Sequence, residues 1–158
     1  RLLKRAKAKG AKTVLNVAPA REVPSDALQN VDYLIVNEIE AETVMGQEGK
    51  SAEQTALALA EKTGGACLIT LGKKGVVAAM DGQVFSVSSL PVKPVDTTGA
   101  GDAFVGIFAA MIDAGLPFAD AMRHACCGAA LACLKTGAQE SLPSLREIEA
   151  RLKEIETK

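Results

Sequence analysis

An α/β fold is the architecture this sequence predicts, and three features carry that expectation. Short apolar runs suited to buried strands alternate with helical segments as far as residue 71. The pair Asp81-Gly82 separates two further strand-like runs, and that dipeptide suits a two-residue hairpin turn. Beyond Pro94 the pattern turns wholly helical.

Taken in order, a basic helical run opens the chain and stops at Gly10, a natural C-cap. Thr13 to Val17 reads as a buried strand, followed by a Pro-containing loop from Ala18 to Pro24. Ser25 or Asp26 can cap a short helical turn. Asp32 to Val36 is a second strand that runs directly into a helix start at Asn37 to Glu42. Ser51 with Gln54 forms a capping box for a longer helix, which carries Ala56, Leu57, Leu59 and Ala60 and stops at Gly64-Gly65. Ala66 to Leu71 is apolar along its length, as a buried parallel strand should be. Strands at 75–80 and 83–87 flank the Asp-Gly turn, and helices follow at about 101–114, 117–134 and 144–156. The charged stretch Arg146 to Lys153 reads as a solvated face.

Bulk properties narrow the function classes. With 158 residues, 48% of them hydrophobic and 23% charged, the chain can bury a core of its own. Eighteen basic against nineteen acidic residues leave a net charge of −1, which is no footprint for nucleic acid. Apolar runs fall well short of the roughly 20 residues of a membrane span. Cys67, Cys126, Cys127 and Cys133 form no C-x-x-C pair, and one histidine is a poor complement for a zinc site. Free thiols in a reducing cytoplasm are the expectation. Arg1 opens a helix partway, without Met and without a signal peptide's apolar region, so a fragment of a longer protein is expected.

The chemistry concentrates at Gly99-Ala100-Gly101, which leads into the apolar helical positions Ala103, Phe104, Ile107, Phe108 and Met111. Glycines at a helix start leave backbone N–H groups bare, and the helix dipole adds positive potential for an anion. A tight turn, with Asp102 as a favourable first-turn charge, fits the same spacing equally well. Two commoner phosphate motifs do not apply. Gly49-Lys50-Ser51 mimics the end of a Walker A loop, but Val44 stands where its first glycine belongs. The dinucleotide fingerprint fails because Phe104 occupies its third glycine position.

The run Asp96-Thr97-Thr98-Gly99-Ala100-Gly101-Asp102-Ala103-Phe104 closely resembles the C-terminal motif of the ribokinase/phosphofructokinase-B family. The resemblance extends over nearly the whole chain, including Asn16 to Arg21 and Asn37 to Glu42. It implies the C-terminal part of a ribokinase-like three-layer α/β/α sandwich, without the N-terminal strands and the β-lid. It also implies ATP-dependent phosphorylation of the primary hydroxyl of a sugar, D-ribose foremost. Gly99, Ala100 and Gly101 would form the anion hole and Asp102 would be the base. Asn37 and Glu40 would hold Mg²⁺ near the phosphates through water. Thr70, Gly72 and Gly75 belong to the matching nucleotide loop, where Lys73 and Lys74 either steer phosphate or are simply solvated. Cys126 falls at the adenine side, with a small buried hydrophobe as the competing reading; His124 matches no functional position. A monovalent cation, K⁺ by its preference for carbonyl oxygens, would take Asp96, Ser141 and the carbonyls of Thr98, Ala132, Lys135 and Gly137. Asp96 as a plain turn-former is the alternative there.

A complete relative has about twice this length, with most sugar-binding residues in its other half. The resemblance therefore implies little or no activity for this chain alone, a homodimer for the full-length protein, and self-association of the fragment through exposed sheet edge. Its partners would be ATP and a small sugar, with no nucleic acid and no membrane. Two rival readings remain open: a kinase of another sugar or a nucleoside, and a nucleotide-binding or interaction module that never catalyses.

Overall fold

Strands β1 (Val14–Asn16), β2 (Tyr33–Asn37), β3 (Ala66–Thr70), β4 (Val76–Met80) and β5 (Gln83–Val87) form one sheet in that spatial order. The structure, a computed structural model, describes residues 1–156. β1, β2 and β3 run parallel, with Asn16 beside Ile35 and Asn37 beside Thr70. β4 runs antiparallel to β3. Asp81 and Gly82 join β4 to β5, both at positive φ (51° and 74°), which is what a type I′ hairpin turn requires. The chain divides into two compact units: Arg1–Leu71 with Val76–Ser86, and Gly72–Gly75 with the chain from Val87 onward.

In the first unit, strand alternation sends Leu34, Val36, Cys67, Ile69, Val77 and Ala79 to one face of the sheet. There they meet α2 (Ser25–Leu28), α3 (Glu38–Met45) and α4 (Ala52–Thr63) through Leu28, Ala41, Val44, Ala56, Leu59 and Ala60. Ile35, Leu68, Val76 and Ala78 alternate with these residues and are equally buried, so both faces of the sheet are covered. That explains the continuous apolar run of β3. α1 (Leu2–Ala8) ends in a Schellman arrangement: Gly10, at φ 79°, donates to the Lys7 carbonyl and Ala11 to that of Ala6.

β1 is shorter than the sequence suggests, and at its first end the cause is a partner 19 residues on. The backbone N–H and the hydroxyl of Thr13 both donate to Asp32 Oδ2, at 2.8 and 2.9 Å, so Thr13 serves as a strap instead of a strand residue. Lys7 pairs with the other carboxylate oxygen of Asp32 at 2.9 Å and ties α1 to the same point.

The second unit holds α5 (Ala100–Asp113), α6 (Phe118–Ala132) and α7 (Leu145–Glu156). α5 packs on α6 around Phe108, which stacks on Phe104 and meets Phe118 edge-on. Gly128 of α6 lets the side chains of Ile107 and Ile148 close over it. α7 is not merely a solvated face, because Ile148 is buried and its carbonyl lies 3.8 Å from Cys127 Sγ. No helix among the described residues is long and apolar enough to cross a membrane.

Gly64 and Gly65 do different work. Gly64 closes α4 in the left-handed conformation (φ 68°), whereas a Cβ on Gly65 would fall on the Asp32 carbonyl oxygen and lie 2.9 Å from that of Val31. Gly65→Ala should therefore lower stability by about 1–3 kcal/mol. A urea unfolding midpoint indistinguishable from the parent would contradict the close approach.

Candidate active site

α5 begins on Gly99, whose φ of 76° is a left-handed conformation, and no side chain caps the helix. The Gly99 carbonyl takes the N–H of Ala103 at 2.8 Å, and Ala100 donates to Thr97 at 3.2 Å. The N–H groups of Gly101 and Asp102 donate to no described residue. Gly99 and Gly101 are glycines for different reasons. A Cβ at Gly99 would meet Ala138 at 3.2 Å in addition to the strained φ, whereas a Cβ at Gly101 would meet nothing within 4 Å. Neither backbone conformation nor packing explains Gly101, and a glycine within a helix costs up to about 1 kcal/mol against alanine. A backbone kept open to a close-lying ligand would explain it. Asp102 is exposed and makes no hydrogen bond or ion pair to a described residue. The turn thus sets bare donors and an accessible carboxylate side by side in the chain.

Asp96 fastens the segment before that turn. Its Oδ1 accepts from Thr98 N–H at 2.9 Å and its Oδ2 from Gly137 N–H at 3.1 Å, across 41 residues of sequence. These bonds, that from the Thr98 N–H foremost, hold the Asp96 carboxyl below the usual carboxylate range. The Cys133 carbonyl accepts from the N–H groups of Val95 and Asp96. Of the carbonyls expected as cation ligands, Ala132 receives a long bond from Lys135 N–H at 3.5 Å, while Thr98, Lys135 and Gly137 accept none from a described residue. Ser141 is 1% exposed, and its hydroxyl has no partner among the described residues. A buried orphan hydroxyl is costly. Together with unclaimed carbonyls and a deprotonation-prone carboxylate, it makes a donor set that fits a weakly hydrated monovalent cation.

In the first unit, Asn37 and Glu40 form a reciprocal capping box on α3. Glu40 N–H donates to Asn37 Oδ1 at 2.9 Å, and Asn37 N–H to Glu40 Oε2 at 2.8 Å. Glu40 is 7% exposed, and its Oε1 accepts no bond from a described residue. The N-x-x-E spacing is thus first of all a cap, and one oxygen remains for other work. Asn16, Asn37 and Thr70 end β1, β2 and β3, so all three stand at the carboxyl edge of the parallel strands. Ligands of open α/β sheets gather at that edge.

The nucleotide-loop residues separate by burial. Gly72 (φ 55°), Lys73 and Lys74 form an exposed 3₁₀ turn. Gly75 is buried at φ 109°, and a Cβ there would fall on the Val87 carbonyl oxygen and lie 2.7 Å from Ser89 N. Its glycine is required by packing, which the sequence motif did not disclose. Cys126 is 5% exposed with its thiol 3.8 Å from the Ser88 carbonyl, and burial pushes the thiol up to about 11. His124 places Nδ1 2.8 Å from the Asp120 carbonyl on its own helix. Two further residues were given no role of their own by the sequence: Ala138, which packs on Gly99, and Asn16, whose Nδ2 donates to the Ile35 carbonyl at 2.9 Å. Ala138 carries no chemical signal at all; Asn16 does, as a polar residue closing an apolar strand.

Residues 1–145 match the profile described as pfkB family carbohydrate kinase. A ribokinase of Staphylococcus aureus is 37% identical over 150 residues, which cover 90% of this chain and 48% of that protein. Crystal structures agree. A ribokinase from Thermotoga maritima superposes with a TM-score of 0.86 at 31% identity, over 96% of this chain and 52% of its own. An Arabidopsis thaliana ribokinase, described as complexed with ribose and ATP, gives 0.87 at 30% identity, over 96% and 51%. The chain spans about half the length of the relatives it matches. With the Gly99–Asp102 turn on a ribokinase-like α/β fold and a family match over nearly its whole length, the chain belongs to the pfkB family of carbohydrate kinases.

Proposed function

We propose that this chain is the nucleotide-handling, base-carrying part of an ATP-dependent sugar kinase with D-ribose as its acceptor. The observation that carries the proposal is Gly101: a helix-start glycine that no described contact requires, whose N–H and that of Asp102 donate to no described residue, beside an exposed carboxylate. The ribokinase relatives, one of them with ribose and ATP bound, supply the substrate class.

In the proposed reaction the primary hydroxyl oxygen of the sugar attacks the γ-phosphorus of ATP. The bond from that phosphorus to the β–γ bridging oxygen breaks, ADP leaves, and the hydroxyl proton passes to the Asp102 carboxylate. Phosphoryl transfer asks mainly for alignment and for stabilisation of charge on the transferring group. The N–H groups at the start of α5 and the helix dipole supply the second. Asn37 and Glu40 would hold magnesium through its water, and the ion would supply positive charge near the phosphates. Thr70, Gly72 and Gly75 shape the nucleotide loop, and Cys126 belongs to the adenine side. Asp96, Ser141 and the carbonyls of Thr98, Ala132, Lys135 and Gly137 would hold a monovalent cation, potassium by its preference for such oxygens. Its charge would keep the Asp96 segment, and hence the turn at Gly99, in place.

Two outcomes test this. In the full-length protein, Asp102→Asn should lower turnover by about 10²- to 10⁴-fold while ATP affinity stays within about threefold. Survival of turnover would reduce Asp102 to a first-turn charge. The second outcome concerns pH. Because the folded state holds the Asp96 carboxyl below its ordinary 3.8, its contribution to stability is full above that value. It is lost as pH falls through the lower folded value. The melting-temperature advantage of the parent over Asp96→Asn should accordingly be constant from pH 7 to 5 and shrink towards pH 3. An advantage that grew on acidification would contradict the assigned hydrogen bonds.

A further inference from the structure

The segment Asn16 to Arg21 shares in the family resemblance, yet the proposed reaction leaves it without a task. Asn16 closes β1 opposite Ile35, and its Nδ2 donates to the Ile35 carbonyl at 2.9 Å. Thr70 closes β3 opposite Asn37, and its Oγ1 donates to the Val36 carbonyl at 3.4 Å. Two successive carbonyls of β2, on opposite sides of that strand, therefore accept from side chains of the two flanking strands. In the body of a sheet, backbone N–H groups fill such positions. Here side chains donate to the carbonyls of the two residues immediately before Asn37, where β2 turns into α3.

The first turn of α3, just past that junction, has little freedom. Asn37 Oδ1 is taken by Glu40 N–H, and Glu40 Oε2 is taken by Asn37 N–H. Glu40 is almost fully buried, which leaves its Oε1 as the carboxylate oxygen without a described partner. A group that acts on a metal through water must hold its oxygen at one distance and angle, because the water's own hydrogen bonds are directional. Partners that orient such groups affect metal affinity without touching the metal.

We infer that Asn16 is a positioning residue: by clamping the end of β2 against β1, it sets the angle at which Asn37 and Glu40 meet magnesium-bound water. This inference rests on the magnesium role proposed for Asn37 and Glu40. Thr70 clamps the opposite side of β2, but it also belongs to the nucleotide loop, so Asn16 is the cleaner probe.

The test is the Mg²⁺ requirement of the full-length protein, read as the free Mg²⁺ concentration giving half-maximal turnover at saturating ATP and sugar and, without turnover, as that giving half-maximal binding of a fluorescent, non-hydrolysable ATP analogue, with the sugar KM measured alongside. Asn16→Ala removes the donor and some packing; Asn16→Leu removes the donor at nearly the same volume. Glu40→Gln serves as the reference. The expected result is a rise of about three- to tenfold in the Mg²⁺ requirement of both Asn16 variants, with the sugar KM within about twofold of the parent. If Glu40→Gln raises the requirement and neither Asn16 variant does, the clamp is purely structural and the inference fails alone. A sugar KM that rises in step with the Mg²⁺ requirement overturns it as well. If Glu40→Gln itself leaves the requirement unmoved, the magnesium role of the capping pair fails and takes the inference with it.

Discussion

A left-handed residue at the head of α5 governs most of what the second unit can do. Because Gly99 turns the chain at φ 76° and offers no side chain, the helix starts without an internal cap. The N–H groups of Gly101 and Asp102 are left for water or for a ligand. An ordinary helix start would satisfy one of them with a serine or aspartate oxygen. Ser51 does so for α4 and Asn37 for α3, whereas α1, α2 and α6, like α5, start without a side-chain cap. What marks the start of α5 is its left-handed N-cap residue, Gly99.

Such a turn must be held, and the loop between α6 and α7 contributes. Asp96 bonds at once to Thr98, just ahead of the turn, and to Gly137 in that loop. Ala138, the next residue, packs against Gly99 itself. The unpartnered hydroxyl of Ser141 lies in the same stretch of chain. A cation bound by these oxygens would therefore act on the Gly99 turn through two or three covalent neighbours rather than at long range. Such an ion would influence the proposed phosphoryl transfer without touching the substrate.

Much of the fold was legible because its signals are local. Gly10, the Ser51/Gln54 box and the Asp81-Gly82 turn each place a boundary by the chemistry of one or two residues, and the structure has each of them there. Boundaries set by distant partners were not legible. Thr13 leaves β1 because Asp32, nineteen residues on, claims it. The last helix looked solvated, yet Ile148 is buried against α6. The site divides in the same way. Asp102, Gly99 and the Asp96 segment can be found from a contiguous motif. The capping role of Glu40, the packing role of Gly75 and the strand clamp of Asn16 depend on backbone geometry and register that spacing alone does not encode.

Gly101→Ala probes the anion site most directly. Since an added Cβ there meets nothing and alanine favours a helix, the variant should be as stable as the parent or up to about 1 kcal/mol more so. If the backbone at that position cradles a transferring phosphoryl group, the methyl intrudes on it, and turnover of the full-length protein should fall about 100-fold or more. Stability retained with turnover lost is the predicted result. Turnover within about twofold of the parent, in a protein equally stable, would contradict the assignment of this turn as the anion site.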